Sequence, residues 1–281
     1  MNCDLIQGLF LRRYVKNVKK SSLVLYFLIT FLLSWICWST KIFKSLYFIK
    51  YIYGYGVVFP ILVALVLTIL LGGKGELKGL LKRFNPKGLN KKWYVLSIFS
   101  IMIISILSVM ISFTVEGRHF SIIEVFSFEN YIKSFPIFII FATMEEVGWR
   151  GYALPKLEKS YSQIASSVIL GVIWGMWHLP KLIAEGTKDL KSITIFMLTV
   201  VLFSIYISWI YSNTNGNILM AILSHAAINS AINSSYNGEL GKIGYNTSSI
   251  IFLGLILIFL IILLNKGELT NRHENRLLER K

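Results

Sequence analysis

"WYVLSIFSIMIISILSVMISFT", from Trp93 to Thr114, holds no charged residue. Coiled as a helix it covers the roughly 30 Å of hydrocarbon at the core of a bilayer. Its length and apolar character make it read as a membrane span. Working outward, apolar runs of about 18 to 20 residues recur near 22–38, 54–71, 133–152, 161–180, 192–211, 216–235 and 248–264. The sequence thus predicts an all-α polytopic membrane protein with about eight transmembrane helices.

Composition agrees. Of the 281 residues, 55% are hydrophobic, 14% aromatic and only 15% charged, with a mean hydropathy of +0.63. The basic stretch "RRYVKNVKK" before the first run resembles a leader, but no small-residue cleavage pattern follows Trp38, so the run reads as a retained first span. Cys3 and Cys37 support neither a disulfide framework nor a cysteine metal site. The formal charge of +15 would suggest nucleic acid in a soluble chain. Here the basic residues collect between spans, where orientation in a bilayer explains them, so no nucleic-acid partner is expected. With eight spans, nineteen Lys and Arg fall in the N-terminus, the 72–92 linker, residues 153–160 and the C-terminal tail, against nine on the other side. Both termini are therefore expected in the cytoplasm, and the expected location is a bacterial plasma membrane.

No internal repeat stands out, so residues 1–281 read as a single helical transmembrane domain, with a motif-bearing core over about 133–235. In the basic linker 72–92, Leu77, Leu80, Leu81 and Phe84 recur at helical spacing among lysines. That pattern predicts a short amphipathic helix on an anionic leaflet, or simply a topology-setting linker. The half-apolar region 115–133 is expected at the opposite interface.

Charge inside a span costs about 2.5–3.5 kcal/mol on insertion scales, so each intramembrane polar group is a candidate for function. Three clusters occur. In "EEVGWR", Glu146 and Arg150 lie four apart on one helix face as an ion pair, while Glu145 is rotated away and left available. In "WGMWH", Trp174 and His178 share a face, Pro180 closes the helix, and Gly171 with Gly175 offers a strip for close helix packing. In "HAAIN", His225 and Asn229 lie one turn apart. Any one of these is ordinary interhelical hydrogen bonding. Carboxylate, two imidazoles and a carboxamide on three spans compose one polar cavity enclosed by the helices.

A free carboxylate in such a cavity can take a proton from water held by a facing histidine, which makes Glu145 a general base with His178 as its partner. His225 and Asn229 are suited to stabilise the oxyanion that follows attack on a peptide carbonyl. A competing version has Glu145, His178 and His225 ligate a divalent metal such as zinc, although no H-E-x-x-H helix is present.

"EEVGWR", "WGMWH" and "HAAIN" resemble, in order, the three motifs of the CPBP family of CAAX-processing and bacteriocin-processing membrane proteases: E-E-x-x-x-R, F-x-x-x-H and H-x-x-x-N or H-x-x-x-D. The resemblance covers about Phe141 to Asn229, and the family's usual Phe is Trp174 here. It implies an eight-helix intramembrane endopeptidase with Glu145, His178, His225 and Asn229 catalytic and Glu146, Arg150 and Trp174 supporting. The family is catalogued as metalloproteases, yet a metal-free glutamate mechanism has been argued for it. The implied partners are the lipid bilayer and a peptide or membrane-protein substrate, either a CAAX tail or a bacteriocin-like peptide. Two other readings compete: a non-catalytic immunity or binding protein on the same fold, and an ion-coupled transporter, since intramembrane Glu, His and Arg also serve as relays.

Overall fold

The computed structural model describes residues 3–235 and 247–266. Among these, eight helices make up the bundle: α1 (Cys3–Ile42), α2 (Phe59–Lys82), α3 (Lys91–Val115), α4 (Phe128–Glu146), α5 (Gln163–Ala184), α6 (Leu190–Asn213), α7 (Ile218–Ser234) and α8 (Thr247–Asn265). Six of them, namely α1 from Ser21, α2, α3, α5, α6 and α8, are long and apolar enough to cross a bilayer. Of the other two expected spans, α7 is apolar but shorter, and α4 ends in the charged motif. Lys242 and the basic tail from Arg272 onward lie outside the described residues.

Polar caps set several of the boundaries. Asn90, Ser127, Ser162, Asp189 and Asn217 each accept a backbone N–H at the start of a helix. The Asp189 carboxylate accepts the Ser192 N–H at 2.8 Å, and this bond holds its carboxyl below the usual carboxylate range. Helix α4 packs along α7, and α5 along α6, which brings the three motif-bearing segments to the middle of the bundle. The glycine strip accounts for the second contact. A Cβ on Gly171 would stand 2.8 Å from the Val201 Cα, so the two backbones nearly touch.

Four local features differ from expectation. Residues Lys44–Val58, partly read as the start of the second span, form a 3-10 segment, and α2 begins at Phe59. The linker helix is not separate, because α2 runs on to Lys82 through a break at Gly73, whose φ of 69° only glycine adopts freely. It is also not merely laid on a leaflet. Leu80 is buried against Gly151, and Arg83 donates to the Gly151 carbonyl and to the Tyr211 hydroxyl. Pro180 does not close α5, which continues to Ala184. A proline removes only its own N–H, and residues 181–184 still reach the carbonyls of 177–180. Finally, α4 passes into a π-helical turn over Val147–Ala153 before a short helix at Leu154–Leu157. The 115–133 region holds a capped turn, Ile122–Val125, and the start of α4, and it pairs with the end of α7 through the Ser127 N–H and the Ser234 carbonyl.

Candidate active site

The π turn carries most of "EEVGWR", and such turns widen a helix locally where side chains must be re-aimed. Gly148 is required there, since a Cβ would meet the Tyr26 hydroxyl and stand 2.6 Å from the Pro60 carbonyl oxygen. Across the turn Arg150 Nη1 donates to Glu146 Oε1 at 2.8 Å, with both side chains at 0% exposure. Arg150 Nη2 also donates to the Ser204 hydroxyl at 3.2 Å, and its guanidinium lies 5.1 Å from the centre of the Trp174 ring. The charged pair is thus clamped between α6 and α5.

His225 does not turn to Glu145. Its Nδ1 bonds Glu146 Oε1 at 2.8 Å, so one carboxylate oxygen accepts from both Arg150 and His225. A carboxylate can only accept, which fixes the proton on Nδ1 and leaves Nε2 for another partner. Glu145 meanwhile accepts the Trp174 indole N–H on Oε2 at 2.7 Å. His178 Nδ1 faces the Trp174 carbonyl at 2.9 Å, which places a proton on Nδ1 and a lone pair on Nε2. Its ring is enclosed by Trp38, Trp174, Trp177 and Phe196, at centroid distances from 4.7 to 6.4 Å.

Glu145, His178 and Asn229 line one cavity of about 240 Å³ with Trp38, Val57, Phe138, Phe141 and Trp177 as its apolar wall and Lys181 and Tyr53 as further polar groups. His225, expected to meet Glu145 and His178, is not among the residues lining that cavity, although Asn229 one turn further along α7 is. His225 is buried beside Trp174, ring centroids 5.1 Å apart, and is turned toward the Glu146–Arg150 pair. Both donors, Arg150 and His225, converge on Glu146 Oε1, and Oε2 has no hydrogen-bond partner among the described residues.

This arrangement also answers the zinc version. Among the described residues no three His, Cys, Asp or Glu side chains stand together as a metal-binding group. Glu145, His178 and His225 are therefore not gathered as a zinc site would require.

Two contributions escape a reading of the sequence. The Trp174 indole N–H reaches a carboxylate on another helix, where the motif suggests only a bulky wall. Lys181 lies three residues past His178, a spacing that places both on one helical face, but a lysine near the end of a span reads first as a snorkelling residue.

Comparison with known proteins bears on the same region. Residues 127–231 match the family model described as "Type II CAAX prenyl endopeptidase Rce1-like". The chain is also 29% identical, over 221 residues, to "CAAX prenyl protease 2" of Methanococcus maripaludis, an alignment covering 73% of this chain and 82% of the relative. Both comparisons point to a likeness to CAAX-processing membrane endopeptidases, which indicates a peptide hydrolase, and the matched residues contain all three of the CPBP-like motifs.

Proposed function

We propose that this chain is a CPBP-type intramembrane protease in which Glu145 is the general base and activates a water held against His178. The observation that carries this is the shared cavity: Glu145 and His178 line it together, and His178 has its Nε2 lone pair left to accept from water. Attack on the peptide carbonyl puts a negative charge on its oxygen, and collapse of that adduct breaks the C–N bond as Glu145 passes the proton taken from water to the leaving amine. Asn229, lining the same cavity, supplies a donor for the charged oxygen, and His225 supplies a second through Nε2 when that nitrogen carries a proton. Glu146 and Arg150 position His225. No step is routed through a metal.

The apolar walls and Lys181 fit a peptide with hydrophobic side chains and a carboxylate close to the bond that is cut. Lys181 is one helical turn beyond His178, about 4.5 Å along the axis, so the carboxylate belongs within a few residues of that bond. The cavity is built near the ends of α1 and α5 and from the 43–58 segment, opposite the basic linker. By the charge asymmetry that end faces away from the cytoplasm. Such an opening suits maturation of an exported peptide better than trimming of a cytosolic CAAX tail.

The test incubates purified wild-type protein and Glu145→Gln with a library of apolar peptides, each made as free acid and as C-terminal amide. Cleavage of free acids by the wild type alone is expected, unchanged after exhaustive chelation. Cleavage by Glu145→Gln would overturn the base assignment, loss on chelation with recovery in zinc would overturn the metal-free route, and equal turnover of amides would overturn the carboxylate reading.

A further inference from the structure

A second cavity, of about 270 Å³, lies at the opposite, basic end of the bundle. It is enclosed by Ser22 at the start of the membrane-crossing part of α1, by α2 on both sides of the Gly73 break, and by the chain from Gly151 to Lys159. The break makes the space, since it redirects the last turns of α2 away from the axis of the span. One wall is apolar, formed by Leu67, Leu71, Leu80 and Pro155. The other presents Arg83, Lys156 and Lys159 against the single carboxylate of Glu76, an excess of two positive charges.

These cations are placed differently. Arg83 is engaged by Tyr211 and the Gly151 carbonyl, so it contributes field more than flexible donors. Lys156 has its ammonium 4.4 Å from the centre of the Tyr152 ring, and Lys159 is exposed at the rim. Glu76 folds back over Gly72, which puts its stem against the apolar wall. A pocket with a greasy wall, a cationic wall and a position where spans meet the polar interface matches one class of ligand: an acyl chain joined to a phosphate.

We infer that this cavity binds the headgroup of an anionic phospholipid, with Lys156 and Lys159 on the phosphate and the Leu67–Leu71–Leu80 wall against the first acyl carbons. The location gives the site a consequence. Gly151 and Tyr152, on its wall, belong to the π turn that holds Arg150, so occupancy braces the segment on which the Glu146–Arg150 pair is built.

The experiment titrates a short-chain phosphatidylglycerol into the full-length protein in neutral detergent and follows its thermal transition. Phosphatidylcholine of the same chain length and inorganic phosphate serve as comparisons. Wild type is expected to gain stability with phosphatidylglycerol and with neither comparison. In Lys156→Gln/Lys159→Gln the apparent affinity should fall roughly 25-fold, about fivefold for each lysine removed near an anionic headgroup. Lys87→Gln/Lys91→Gln, which removes two basic residues outside the cavity, should keep the wild-type response. A full response to inorganic phosphate alone would overturn the lipid as the ligand. An undiminished response in the Lys156/Lys159 variant, or an equal loss in the Lys87/Lys91 variant, would overturn the site.

Discussion

At the scale of single residues, the two neighbouring glutamates have different surroundings and should fail differently. Glu145 faces the cavity and is held by one indole N–H, so Glu145→Gln should fold and melt like wild type while turnover falls by a factor of about 10² to 10⁴. Glu146 accepts from both Arg150 and His225 in full burial. Its change to Gln strands Arg150 and releases His225, and breaking a buried pair from one side commonly costs about 3–5 kcal/mol. Lower yield and a lower melting temperature should follow, and Arg150→Gln should match it. The double change should cost less than the two singles combined, since no charge is then stranded. A thermal shift beside a cleavage assay separates these outcomes, and equal destabilisation by both glutamate changes would refute the division. The spacing alone shows the Glu146–Arg150 pair, because four residues apart on a helix is local geometry. The third member, His225, lies 79 residues from Glu146, and no spacing reports such a contact. Trp174 is a similar case. Trp174→Phe keeps a ring against His225 and Arg150 but deletes the donor to Glu145, so folding should persist while turnover drops by roughly tenfold, the lower range for a hydrogen bond to a charged group. Unchanged turnover would show that the indole only fills space.

At the scale of elements, long apolar runs announce helices because nothing else satisfies a backbone in hydrocarbon. They do not announce what happens where the apolar character fades. That is why α2 could not be followed past Gly72 from its pattern, and why the π turn of "VGWRGYA" was invisible: a widened turn leaves the sequence periodicity almost untouched. The glycine strip on α5 was legible, and its two members make a graded prediction. At Gly171 an added Cβ would press on the Val201 Cα at 2.8 Å and the Ser204 Cβ at 2.9 Å, neither of which can rotate away. At Gly175 the neighbour is the thioether end of Met197, which can. Gly171→Ala should therefore destabilise by about 1–3 kcal/mol, the usual cost of overpacking, and Gly175→Ala by clearly less. Ser204 also bonds Arg150, so Gly171→Ala should lower turnover as well as melting temperature. Equal melting temperatures for the two variants would mean that α5 and α6 separate easily and that the close approach is not what joins them.

At the scale of the whole molecule, the two cavities lie at opposite ends of one bundle, and the charges are distributed accordingly. The cavity lined by Glu145 and His178 is bordered by Trp38, four residues before the end of α1, and by Lys181, three before the end of α5. The other is bordered by Ser22 near the start of the first span and by Lys156 and Lys159 after the π turn. Helices that alternate in direction put these two sets of ends on opposite faces of the membrane. The seven basic residues of the 72–92 linker lie with the second set, so the positive-inside tendency predicts that face in the cytoplasm and the cavity of Glu145 and His178 on the outside. Single cysteines introduced at Lys87 and at Lys188, in a chain carrying Cys3→Ser and Cys37→Ser, test this with a membrane-impermeant thiol reagent on intact cells. Lys188→Cys in the loop after α5 should label at once, and Lys87→Cys only after the membrane is opened. The inverse pattern would place the cavity on the cytoplasmic side and restore a cytosolic tail as its substrate. Labelling of both would break the alternation of eight spans on which the orientation rests.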